Sequence, residues 1–150
     1  MNNTICYLNT DLDLLSKSDL TGLAAAFKNK GVRALYVTHA RDGLWYARFE
    51  TDRQHTEPEA NIAKLVTVIE SLGKANRATW QSCSKRDFNI GYDCGDEPWE
   101  FNQGLSAELL GRLAAVGGSL RITLYPDREP QVTKPRQRRK AAKAKKGRKK

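Results

Sequence analysis

V-R-A-L-Y-V-T-H-A-R-D-G-L-W-Y-A-R-F-E-T, residues 32–51, is the stretch on which the fold turns. Two runs rich in β-branched and aromatic residues flank Asp42-Gly43, a pair that tolerates positive φ at both positions. The stretch predicts a β-hairpin of Val32–His39 with Leu44–Thr51. With the turn centred on Asp42-Gly43, Ala40 faces Trp45, Thr38 faces Ala47 and Tyr36 faces Phe49. His39 and Tyr46 meet on the other side of the ribbon. Strict alternation of this kind gives a sheet with one dry face and one wet face.

Working upstream, Leu20, Leu23, Ala24 and Phe27 recur at helical spacing, with Ser16 or Ser18 as N-cap and Gly31 as the stop. Thr4–Leu8 reads as a first strand, followed by the alternating connection Asn9–Asp13. Downstream, Thr56, Pro58 and Glu59 announce a helix whose buried face is Ile62, Leu65, Val66, Ile69 and Leu72, ended by Gly73. Lys74–Cys83 adds a helical turn or two carrying Trp80. Residues 87–105, D-F-N-I-G-Y-D-C-G-D-E-P-W-E-F-N-Q-G-L, read as a second hairpin. Phe88, Ile90, Tyr92, Trp99 and Phe101 form its core side, and Asp93–Glu100 form an acidic tip. Ser106 caps a helix with Leu109, Leu110, Leu113 and Val116 on one face, and Ser119–Tyr125 closes the domain as a strand. The expected fold is α+β: a mostly antiparallel sheet with about three helices packed on one face. Residues 1–125 form the single domain.

Residues 126–150 are a different kind of polymer. Between 134 and 150 stand 11 Lys and Arg and no acid, which leaves 15 bases against 17 acids in residues 1–133. The formal charge of +9 therefore belongs to the tail, while the body is slightly acidic. Like charges and few apolar groups predict a disordered Lys/Arg-rich segment. Lys134, Arg136, Arg138, Arg139, Lys140, Lys143, Lys145, Lys146, Arg148, Lys149 and Lys150 are the candidate phosphate contacts to DNA or RNA. Such contacts release counterions, so binding is expected to be non-specific and steep in salt. No aromatic is interleaved among them, so base stacking is not expected.

The body holds no complete catalytic motif. His55-Thr56-Glu57 matches half of a zinc-deaminase signature, but no Pro-Cys-x-x-Cys accompanies it. Cys94 lies among Asp93, Asp96 and Glu97, whose negative charge disfavours a reactive thiolate. No catalytic residue, metal ligand or cofactor is therefore assigned, and catalysis is not expected. Three dispersed cysteines suit a reducing compartment. The first residues lack a basic segment and an apolar run, and no stretch is long and apolar enough to span a membrane. A cytoplasmic protein without membrane contact is expected. Asp93, Asp96, Glu97, Trp99 and Glu100 are the candidate partner-binding residues, suited to a basic protein surface.

F-N-I-G-Y from Phe88, L-S-A-E-L-L-G-R-L-A from Leu105 to Ala114 and G-G-S-L-R-I-T-L-Y ending at Tyr125 carry a resemblance. The chain resembles an uncharacterised bacterial domain family, some members of which are regarded as immunity proteins against toxins. The resemblance implies a binding role without catalysis. The basic tail departs from that pattern. Two functions follow as expectations: a binding module whose cationic tail associates with nucleic acid, or an immunity-like inhibitor covering a basic toxin with its acidic loop. A hydrolase or metal enzyme stands behind both.

Overall fold

The structure, a computed structural model, describes residues 3–126. The cationic residues 134–150 thus lie outside the described residues. The described residues form nine elements in order: β1 (Cys6–Ser16), α1 (Thr21–Lys28), β2 (Val32–His39), β3 (Trp45–Thr51), α2 (Pro58–Glu70), α3 (Lys74–Ser82), β4 (Lys85–Cys94), α4 (Ala107–Ala115) and β5 (Ser119–Pro126). The strands form one sheet in the order β2-β3-β1-β4-β5. Every pairing is antiparallel except β4 with β5. The fold is the expected α+β, with four helices among the described residues.

β1 and β2 run parallel with β3 inserted between them, and β4 pairs on the far side of β1. That is the split β-α-β arrangement of ferredoxin-like folds, here extended by α4 and β5. The helix-side face of the sheet carries Leu12 and Leu14, Ala47 and Phe49, and Phe88, Ile90 and Tyr92, all buried. Leu20, Leu23 and Phe27 of the α1 segment, with Ile62, Leu65, Val66 and Ile69 of α2, complete the core. Phe27 meets Phe49 edge-on at 5.0 Å between ring centres. Trp80 of α3 is buried as well and donates its indole N–H to the Val116 carbonyl at 2.8 Å.

β1 extends through residues 9–13, where a connection is expected from the sequence. Leu12 and Leu14 fill the core while Asp11 and Asp13 lie on the other face, where Arg48 neutralises them. An alternating acidic run is a strand when a cation waits across the sheet. The first helix begins at Thr21, later than a Ser16 or Ser18 cap requires. Asp19 accepts from the Thr21 N–H at 2.7 Å, and the Ser16 hydroxyl accepts from the Ser18 N–H, making a turn between strand and helix.

The hairpin at 32–51 forms, but one residue out of the expected register: His39 faces Trp45, Thr38 faces Tyr46 and Val37 faces Ala47. The Ala40 N–H donates to the Leu44 carbonyl and the Gly43 N–H to the Ala40 carbonyl, with Gly43 at φ 81°. The loop therefore contains three residues, Arg41-Asp42-Gly43, with glycine in the left-handed position, not two. A bulge between Ala34 and Tyr36 shifts the pairing again further along. α2 ends at Glu70, and Gly73 is instead the N-cap of α3.

Residues 87–105 depart furthest from the expected hairpin. β4 covers its first half, but residues 95–106 form a loop with no second strand, and the parallel neighbour of β4 is β5. Trp99, expected in the core, is 98 % exposed, and Phe101 is 38 % exposed. A sequence of alternating aromatics signals a strand only where a neighbouring strand is free to pair with it. Here β1 and β5 occupy both edges of β4.

Candidate functional site

The loop between β4 and α4 is pinned at both ends and open in the middle. At its start, the Asp96 and Glu97 N–H groups donate to the Asn3 carbonyl at 3.0 and 2.9 Å, and the Ile5 N–H donates to the Glu97 carbonyl at 2.7 Å. Gly95 lies so close to this strap that a Cβ would overlap the Asn3 carbonyl, so only glycine fits. Midway, the Phe101 ring meets Tyr92 edge-on at 5.3 Å. At its end, the Ser106 hydroxyl caps α4 by accepting from the Leu109 N–H at 3.1 Å. The Glu59 carboxylate of α2 in turn accepts from the Ser106 N–H at 3.0 Å and hydroxyl at 2.6 Å.

Between these anchors stands Trp99, nearly wholly in solvent, after a cis Glu97–Pro98 peptide. Asp93, Asp96, Glu97 and Glu100, all within six residues of it in sequence, are exposed as well. Glu100 accepts from the Asn102 side chain at 3.1 Å. The structure thus brings the five predicted partner-binding residues into one loop and the adjoining strand end. It excludes Asp11 and Asp13 from the group. Those two lie opposite Asn89 and Asp87 in mid-sheet, whereas Asp93 lies opposite Cys6 at the strand end.

The open face of the sheet carries a feature that sequence reasoning missed. Arg48 on β3 donates to both oxygens of Asp13 on β1, at 2.7 and 3.1 Å. Asp13 lies opposite Asp87 on β4, and Arg121 on β5 donates to Asp87 at 2.6 and 3.0 Å. An Arg–Asp–Asp–Arg row crosses four strands, with both carboxylates buried. The hydrogen bond to Asp13 raises the Arg48 pKa further above its already high ordinary value, while burial pushes the Asp11 carboxyl up. The signal was present as period-two alternation in all four strands, but pairing Arg48 with Asp13 and Arg121 with Asp87 required the strand order.

Beside that row, Asn9 donates to Asp11 and Glu50, and Arg33 pairs with Glu50. Buried Asn61 of α2 donates to the Tyr7 hydroxyl at 2.9 Å and to Asn9 Oδ1 at 2.8 Å. A shallow groove of about 270 Å³ runs over Gly91 between Leu35, Asp11 and Tyr125. These polar groups hold one another, an arrangement that fixes strand register.

Cys83 is buried, and burial pushes its thiol up, away from thiolate chemistry. Cys6 and Cys94 are half-buried. His55 and Glu57 lie at the start of α2, where Glu57 supplies the N-cap backbone. Among the described residues, no three His, Cys, Asp or Glu side chains converge as metal ligands. No described helix is long and apolar enough to cross a membrane. No family model matches the chain, and neither the curated proteins nor the solved structures searched contain a match.

Proposed function

We propose that this protein is a non-enzymatic binding module in which recognition is divided between the 95–106 loop and the cationic residues 134–150. The observation that carries the loop reading is Trp99, a large aromatic held 98 % exposed on an anchored loop among four carboxylates. An indole in water has no folding role, and tryptophan is among the residues that most often dominate interfaces. Its acidic surround selects a basic protein surface and steers it electrostatically. An immunity-like protein covering a basic toxin fits this description.

The second device rests on charge segregation in the sequence. All of the net positive charge lies beyond residue 133, while the body is net negative. Eleven cations without aromatics suit non-specific phosphate contacts to DNA or RNA. The two devices have opposite charge and opposite partners.

Affinity capture on the full chain, with retained proteins identified by mass spectrometry, tests the loop. Trp99→Ala is expected to weaken binding of the retained partner by about 2 kcal/mol, roughly 30-fold. Asp96→Lys with Glu97→Lys brings the four acidic positions from four negative charges to none net, and is expected to slow association and flatten its dependence on salt. A partner bound equally well by all three forms overturns the loop reading.

A further inference from the structure

The two edges of the sheet are unlike. β2 carries a bulge between Ala34 and Tyr36, a device that discourages another strand from pairing. β5 has no bulge among the described residues. Among the described residues it pairs with β4 alone, in unbroken register from Ser119 to Pro126. Its helix-side residues are left uncovered: Leu120 is 40 %, Ile122 60 % and Leu124 61 % exposed. Phe101 and Ile5 border the same apolar surface. Its one charged residue, Arg121, points to the other face and is held by Asp87.

We infer that β5 is a dimerisation edge, pairing antiparallel with β5 of a second copy about a two-fold axis through Ile122. This goes beyond the proposed function and does not depend on it. Pro126 has no N–H to donate to a new neighbour. The seven residues before it, Ser119–Tyr125, are centred on Ile122. A two-fold axis there pairs all seven with none left over: Ile122 with Ile122, Leu120 with Leu124, Arg121 with Thr123 and Ser119 with Tyr125. Each aliphatic residue meets an aliphatic residue on the same face, and no like charges are opposed. The contact is isologous and closes at two copies, joining the sheets into ten continuous strands.

Composition and charge favour a second copy over the chain's own C-terminal residues as occupant. Residues 127–150 contain one aliphatic side chain larger than alanine, Val132, against 12 cations, and cannot cover three branched apolar side chains. The antiparallel arrangement also sets the two copies of Pro126 about eight residues of strand apart, roughly 26 Å at 3.3 Å per residue, whereas a parallel pairing would bring them side by side.

Sedimentation equilibrium of the full chain over a concentration series tests this without any partner or nucleic acid. The wild type is expected to dimerise. Ile122→Lys opposes two ammonium groups at the axis and is expected to weaken dimerisation at least about tenfold. Leu124→Lys, away from the axis, is expected to act in the same direction, and Thr38→Lys on the opposite edge is expected to leave it unchanged. Because Ile122, Leu124 and Thr38 are exposed, all three variants should keep wild-type circular dichroism. A wild type that stays monomeric up to hundreds of micromolar overturns the inference. So does a dimer indifferent to both β5 variants.

Discussion

Arg48 shows how one side chain can settle a strand. Its guanidinium spans Asp13 and lies 3.8 Å from Asp11, and it lies 6.0 Å from the Tyr36 ring centre. Removing it leaves the buried Asp13 carboxylate opposite Asp87 without its cation. Arg48→Met is therefore expected to cost about 2 kcal/mol, between the values for exposed and fully buried pairs. The companion change Asp13→Asn in that background should recover part of the loss, read as the urea midpoint of each form. Carboxylates elsewhere set the acid limit. Asp19 is held low by the Thr21 N–H, Asp42 by the Leu44 N–H and the Tyr46 hydroxyl, Glu59 by Ser106, and Glu70 by Arg112. The unfolded chain takes up protons at these groups first, so stability should fall as pH drops through about 4.3 to 3.9 and below. Asp11 acts oppositely: its raised pKa favours the folded state at low pH, and that contribution is lost as pH rises through the raised value. Urea midpoints from pH 7 to 3 should decline, and Glu59→Gln with Glu70→Gln should flatten the decline. An unchanged slope in that double variant would contradict the assignment.

At the scale of elements, the 95–106 loop depends on α4, and α4 depends on α2. Glu59 holds Ser106, and Arg112 donates to Glu70 at 2.8 and 3.1 Å. Glu59→Ala removes two hydrogen bonds at a partly exposed site and should cost about 1 kcal/mol. Amide exchange should rise locally at Leu109 and Leu110, with the β1–β3 ladder unaffected. The helices were legible in the sequence because each carries its own period: Ile62, Leu65, Val66 and Ile69 are all buried as their spacing required. The strands were legible as strands, but their partners were not. The register of the 32–51 hairpin hung on whether its loop held two residues or three, a difference made by the Ala40–Leu44 hydrogen bond. The supposed second hairpin failed for a related reason. Trp99 and Phe101 alternate as strand residues do, yet nothing local in the sequence says that β1 and β5 already flank β4. The acidic tip was legible, since it depended on residue types alone. The exposure of Trp99 depended on topology.

Across the whole molecule, charge and apolar surface are sorted by region. The helix side of the sheet is dry from β3 to β4 and becomes exposed at β5. The open side is tied together by paired charges. The loop offers carboxylates around an indole, and the chain beyond residue 133 offers only cations among its charged groups. Recognition divided in this way predicts that each device can be removed without the other. The most direct test is capture with three forms of the protein: the full chain, residues 1–133, and the full chain carrying Trp99→Ala with Glu97→Lys. Residues 1–133 contain all nine elements and should fold. At matched salt, 1–133 should keep the protein partner and lose DNA and RNA, while the loop variant should keep nucleic acid and lose the partner. Nucleic acid bound equally by 1–133, or a partner retained equally by the loop variant, would contradict the division.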